Sequence, residues 1–193
     1  MHVTLRTKAN LPSLRDGRFV REFRRSLAEA CERGEFRVNH YSLQGDHAHL
    51  IVEARGKDAL ARGMKSIAAR LARALNRTSG RSGPVLDGRY HHRSLRSPRE
   101  VRRALAYVLL NARRHLAKRR NPAPSAVRLD PASSARWFDG WRRGVGPRLP
   151  EIAAVPDVAR PRTWLLRFGW RRHGLVDPAE LPGSATSEPT EAG

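Results

Sequence analysis

A chain of 193 residues suits one domain plus an extension, and two full domains would be cramped. Its 38 Lys+Arg against 18 Asp+Glu leave a formal net charge of +20, a field that attracts a polyanion because displacing condensed counterions from phosphates drives nucleic-acid binding. No apolar run reaches about 18 residues, the opening Met1-His2-Val3-Thr4-Leu5-Arg6 lacks a leader signature, and no helix pairs a basic face with bulky interfacial residues, so no membrane role is expected.

Val3 and Leu5 alternate with polar neighbours and predict a first strand, closed by the loop Asn10-Leu11-Pro12-Ser13. A helix is expected from about Gly17 to Arg33, where Phe19, Phe23, Leu27 and Ala30-Cys31 recur every three to four residues and Gly34 stops it. Cys31, the lone cysteine, reads as a small buried apolar group, since one thiol makes neither an intrachain disulfide nor a thiolate cluster. Residues 35 to 43 alternate as a second strand, with Tyr41 among the inward residues; Gly45-Asp46 turns into a third, His47 to Ala54, and the two form a hairpin.

A second helix over Asp58 to Asn76 carries Leu60, Met64, Ile67, Leu71 and Leu75 on one stripe. Val85 to Leu95 reads as a fourth strand at an edge. Ser97-Pro98-Arg99-Glu100 opens a third helix with a capping box and Pro at its first position; it is expected to run to about Ala117 with Val101, Leu105, Val108, Ala112 and Leu116 facing inward. The fold class is α+β: a ferredoxin-like split βαβ antiparallel sheet with an added, tyrosine-bearing helix and a C-terminal extension. Residues 1–118 form the expected domain. Over 119–176 a basic extension starts with a Pro-rich irregular stretch, then carries all four tryptophans on short helices that cover the domain; base stacking is the alternative role for these rings. Residues 174–193 contain four acids and no Lys or Arg, which leaves +24 on the rest, and 177–193 is expected to be a mobile acidic tail.

On the third strand His47 and His49 are two apart and project from one face, so both imidazoles can reach one divalent metal; a partly hydrated polar strand face is the plainer reading. Glu53 continues that face and reads as solvated, or as a support behind the metal ligands. Tyr107 and Asn111 are one helical turn apart, off the inner stripe, and share their flank with Arg103 and Arg114. There the Asn111 amide could be a third ligand and the Tyr107 phenol a nucleophile, against an ordinary surface Tyr with a solvated Asn. Elimination favours Tyr107, because neither Tyr41 nor Tyr90 has an Asn or Gln one turn away. His91 and His92 are adjacent and point to opposite faces, so they do not share an ion, and the stretch around them reads as an exposed or DNA-contacting strand. His2, His40, His115 and His173 have no evident partners.

The run Tyr41-Ser-Leu-Gln-Gly-Asp-His47-Ala-His49-Leu-Ile-Val-Glu53, the later Gly88-Arg89-Tyr90 and the helix Leu105-Ala-Tyr107-Val-Leu-Leu-Asn111 resemble the REP-associated tyrosine transposases, in the single-tyrosine group of the HUH superfamily. That resemblance covers about residues 1 to 118. It implies His47 and His49 as metal ligands, Asn111 as the additional ligand, Tyr107 as nucleophile and Mg²⁺ or Mn²⁺ as cofactor. It further implies single-stranded or hairpin DNA as partner, and cleavage through a covalent 5′-phosphotyrosine that leaves a free 3′-hydroxyl for strand transfer. Arg89, Tyr90, Arg93, Arg103 and Arg114 are candidate DNA contacts. Members often follow the Asn with Pro, whereas Ala112-Arg113-Arg114 follows here.

An unperturbed tyrosine has a pKa of about 10, so Tyr107 needs a metal or the flanking arginines for activation, and histidine ligation implies that cleavage weakens in acid. A non-catalytic nucleic-acid-binding protein on the same fold is the alternative, although RNA-recognition sheets carry aromatics where this strand has histidines. A metal-dependent nuclease that uses water would not need Tyr107. A bacterial cytoplasmic, nucleoid-associated monomer or homodimer is expected.

Overall fold

The structure is a computed structural model that describes residues 1–118, 129–142 and 155–183, with side chains to residue 114 in the first stretch. Strands β1 (His2–Arg6), β2 (Glu32–Arg33), β3 (Phe36–Leu43), β4 (His47–Ala54) and β5 (His91–Arg93) form one antiparallel sheet in the order β2-β3-β4-β1-β5. Helices α1 (Gly17–Ala28) and α2 (Lys57–Thr78) cover one face, and α3 (Pro98–Leu109) covers the other. The α+β class and the β3–β4 hairpin follow the reading of the sequence.

Two apolar layers result, one on each face of the sheet. Val3, Leu5, Ala48, Leu50 and Val52 meet Phe19, Phe23 and Leu27 of α1 and Met64, Ile67 and Leu71 of α2. Opposite them, Ile51 meets Val101, Leu105 and Val108 of α3. A bulge at Asn39 shifts the β3–β4 register between Val38 and His40, so the first layer takes Phe36 and Val38 before it and Tyr41 and Leu43 after it. His40 thereby turns to the second layer, where its ring stands edge-on to Phe138.

Three elements depart from their expected limits. Helix α1 ends at Ala28 rather than Arg33, because Glu32 and Arg33 pair with Arg37 and Phe36 as the short edge strand β2. The fourth strand shrinks to His91–Arg93, with Leu86 joined to Thr7 by an isolated bridge, since few of its residues are apolar enough to bury. The third helix breaks at Leu110 (φ −108°, ψ 13°), and α4 (Asn111–Lys118) starts there. Its beginning is as expected: Ser97 and Glu100 form the reciprocal capping box and Pro98 opens the first turn.

Two further stretches lie on the core. Ala132, Val158 and Ala159 join the first layer; Ala135, Phe138, Leu166, Trp170 and Val176 join the second. They include short 3₁₀ turns at Ala135–Trp137 and Gly169–His173 and helix α5 (Trp164–Arg167). Of the expected irregular stretch, 119–128 lies outside the described residues, as do 184–193 of the expected tail and the side chains of His115 and Leu116. Within 177–183, Asp177 pairs with Arg142 and Glu180 with Arg102. Among the described residues no helix is long and apolar enough to cross a membrane.

Candidate active site

The β3–β4 turn is pinned from outside the hairpin. Thr7 donates both its backbone N–H (2.8 Å) and its hydroxyl (2.9 Å) to the carbonyl of Asp46, and Leu14 donates its N–H to Gly45 (3.0 Å). His47 therefore leaves a fixed turn, and β4 carries His49 two residues on, on the same face. Their ring centroids are 4.8 Å apart.

Each imidazole is held through Nδ1. The His47 Nδ1 stands 2.7 Å from a carboxylate oxygen of Asp46, and this hydrogen bond holds the Asp46 carboxyl below the usual carboxylate range. At His49, Nδ1 lies 3.1 Å from the Thr4 hydroxyl and 3.2 Å from Nε2 of His2. Bonding one ring nitrogen orients the other for a ligand, as in carboxylate–histidine–metal arrangements. Nε2 of His49 faces the Tyr107 hydroxyl at 3.5 Å, with ring centroids 5.1 Å apart.

Helix α3 brings Tyr107 there because its apolar stripe seats on Ile51, the residue that follows His49 on this face. Arg114 of α4 lies over the same phenol, 5.3 Å from its centroid, and sets a positive charge beside it. Asn111 is 1% exposed rather than solvated, and neither its amide oxygen nor its nitrogen has a hydrogen-bond partner. A buried, unpaired amide is costly. His47, His49 and Tyr107 thus converge, while the Asn111 amide is buried near the start of α4 without a bond to any of them.

The structure adds three residues that sequence reasoning missed: His2, Thr4 and Asp46. His2 was without an evident partner in the sequence, yet β1 pairs with β4 so that Thr4 opposes His49 and His2 opposes Ile51. Cross-strand neighbours share a face. Burial, with Arg93 and the chain's amino group adding to it, pushes the His2 imidazole down to about 4, so the ring is neutral at ordinary pH. The alternation of His2 and Thr4 with Val3 and Leu5 was visible; the register was not. Glu53 is a correction: it is 7% exposed and accepts the backbone N–H groups of Arg162 and Thr163 and the Thr163 hydroxyl (2.6 Å), so it anchors the start of α5 instead of meeting solvent.

The candidate DNA contacts divide between the two faces. Arg93 opposes His2, and His91 opposes Thr4, which puts both on the face of the histidine pair; Arg114 joins them through Tyr107, and Arg103 is exposed on α3. Tyr90 packs on the first layer, and with Arg89, His92 and Lys65 it lines a cavity of about 670 Å³ on the opposite face. Tyr41 is fully buried, bonded to Arg24 and to Asp157 (2.5 Å); burial and the Asp157 charge raise its pKa far above that of a free tyrosine.

Among the described residues no three His, Cys, Asp or Glu side chains form a group that could hold a metal ion. No curated protein matches the chain. A solved structure of a REP-associated tyrosine transposase bound to a REP hairpin is similar to it at a TM-score of 0.48 and 16% identity over 59% of this chain, and the chain spans 66% of that one. Tyr107 and Asn111 lie beyond the segment matched by a family model. Over residues 1–90, which carry the hairpin, both its histidines and the strand that braces them, the chain matches the family of IS200-like transposases.

Proposed function

We propose that this protein cleaves and rejoins single-stranded DNA beside a hairpin, with Tyr107 as nucleophile and Mg²⁺ or Mn²⁺ held by His47, His49 and Asn111. The observation that carries this reading is the 3.5 Å approach of the Tyr107 hydroxyl to His49, with His47 in ring contact on the same strand face. The residues fit a metal: Asp46 holds Nδ1 of His47 and the Thr4–His2 pair holds Nδ1 of His49, so both rings are oriented on one strand face, and Asn111 holds a buried amide oxygen without a partner. When bound, the ion would polarise the scissile phosphate as a Lewis acid.

Each side chain then has a task. The Tyr107 oxygen attacks phosphorus, its proton passes to solvent, and the bond from phosphorus to the 3′ oxygen breaks; that oxygen takes up a proton as a free hydroxyl. The 5′ phosphate stays esterified to Tyr107. A 3′-hydroxyl that attacks this ester reverses the exchange and rejoins the strand without ATP, because one phosphoester replaces another. Arg114 supplies positive charge where the phenol oxygen loses its proton. Arg93 and the exposed Arg6, whose strand partner is His47, bring further positive charge to the same face. On this reading residues 1–118 are the catalytic unit, 119–176 an extension whose described residues, 129–142 and 155–176, pack on it, and 177–193 an acidic end. A platform that only binds RNA fits less well, since helix α3 covers this face and histidines stand where stacking rings would be needed.

The test is incubation with labelled single-stranded hairpin DNA and Mn²⁺, followed by denaturing electrophoresis. A protein–DNA adduct that disappears in Tyr107→Phe supports the proposal. Cleavage that persists in Tyr107→Phe assigns the nucleophile to water, and absence of any cleavage leaves a binding protein.

A further inference from the structure

Outside the residues matched by the family, the chain exposes an arginine-capped aromatic surface. Trp164 is 50% exposed and Phe168 53% exposed, two of the four large exposed hydrophobic side chains among the described residues, and they are four apart. A guanidinium lies over each: Arg172 is 4.9 Å from the Trp164 centroid and Arg167 is 4.9 Å from that of Phe168. The neighbouring pair, Arg171 over Trp170, looks alike but differs in kind. Trp170 is buried, and Arg171 pairs with Asp139, so that pair belongs to the core. Arg167 and Arg172 have no carboxylate within ion-pair distance among the described residues.

We propose that this surface, built by α5 and the turn after it, is a stacking platform for single-stranded DNA, in which the rings of Trp164 and Phe168 and the guanidinium planes of Arg172 and Arg167 over them together offer flat faces to bases, and the guanidinium edges bind phosphates. Alternating rings and planar guanidinium groups accept any base, because every base has a π face, and the guanidinium edges stay free for phosphate oxygens. An apolar protein partner would have to strip water from both unpaired charges. The Trp164 ring is preset: a Cβ on Gly169 would lie 2.5 Å from it, so the glycine lets the ring rest on the backbone.

Its place in the fold suits a strand that also reaches the histidine pair. Thr163, the residue before α5, binds Glu53, which lies four residues beyond His49 on the same face of β4, or about 13 Å along the strand. The choice of DNA rests on the function proposed above. The platform itself does not require Tyr107 to be a nucleophile.

The test uses the full chain and a fluorescein-labelled oligothymidylate of about 12 nucleotides. Phe168→Ala is expected to raise Kd by at least about 5-fold, and Trp164→Phe to abolish quenching of tryptophan emission by the oligonucleotide. Arg167→Gln with Arg172→Gln should flatten the plot of log Kd against log salt by about 0.7 per lost phosphate contact. These exposed positions are read alongside circular dichroism, so a folding defect is recognised, and Phe168→Ala stands in for any variant that misfolds. Unchanged Kd and unchanged quenching in folded variants would overturn the proposal. So would self-association that Phe168→Ala removes, which assigns the patch to a second copy, or quenching that appears only after residues 184–193 are deleted, which assigns it to the chain's own acidic end. Platform-dependent binding together with no Tyr107 adduct would refute the catalytic reading alone.

Discussion

The hydroxyl of Tyr107 stands 3.5 Å from Nε2 of His49, across the gap between α3 and β4. Two elements far apart in the chain meet there because α3 buries its stripe on Ile51. Tyr107→Phe is expected to reduce the covalent adduct to background and leave the Kd for hairpin DNA within about 2-fold, since one hydroxyl adds little to a mainly electrostatic affinity. Tyr41→Phe should keep the adduct and lose about 1–3 kcal/mol of stability, because it strips Asp157 and Arg24 of a buried partner. Gel analysis and urea melts separate the two outcomes.

Asp46 fixes the tautomer and direction of His47. Its replacement, Asp46→Asn, is expected to weaken Mn²⁺ binding about 10- to 100-fold, the usual effect of removing a carboxylate behind a ligating histidine. Titration calorimetry with Mn²⁺ reads this directly. Equal affinity in the variant would mean that His47 is not a ligand.

An unpaired buried amide makes Asn111 a test of whether stability was given up for a ligand. Asn111→Leu removes two unsatisfied polar atoms at similar volume, so the thermal midpoint should rise, by an amount reflecting about 1–3 kcal/mol. Mn²⁺-dependent adduct formation should fall in the same variant. A drop in the midpoint would show that the amide has partners in solution.

His40 gives the fold an acid-sensitive point. Burial pushes its imidazole down to about 4, below the unperturbed value of about 6.5. Between those values the unfolded chain binds a proton that the native chain does not, so stability is full above about pH 6.5 and is lost as pH falls toward about 4. The loss is on the order of 3 kcal/mol. Urea melts at about pH 7 and about pH 4.5 should show it, and His40→Gln should reduce the dependence without abolishing it, because His2, also pushed down to about 4, loses stability over the same window.

Gly63 lies in α2 against Phe36 of β3, where a Cβ would come 2.1 Å from the ring. Alanine normally helps a helix by up to about 1 kcal/mol relative to glycine. Here overpacking costs about 1–3 kcal/mol or more and decides the sign, so Gly63→Ala should lower the thermal midpoint by several degrees. Calorimetry would check it.

Periodicity alone carried much of the fold. The His47–Ala54 strand, the α2 stripe and the Ser97–Glu100 capping box are local patterns, set by backbone geometry and by side chains within a few residues of one another. The pairing of His47 with His49 has the same origin, since a two-residue step fixes a face. Local pattern could not supply the break at Leu110, because the apolar spacing continues through it.

Register and long-range packing decided the rest. His2 and Thr4 reach His49 only because β1 lies beside β4 in one particular alignment, and a slip of one residue would turn both to the other face. Glu53 looked solvated because its partners, Arg162 and Thr163, lie more than a hundred residues away. The sequence by itself determined which chemical groups are present and which neighbours share a face; only the tertiary structure decided which faces meet, because burial is a property of the whole packed layer and not of any segment.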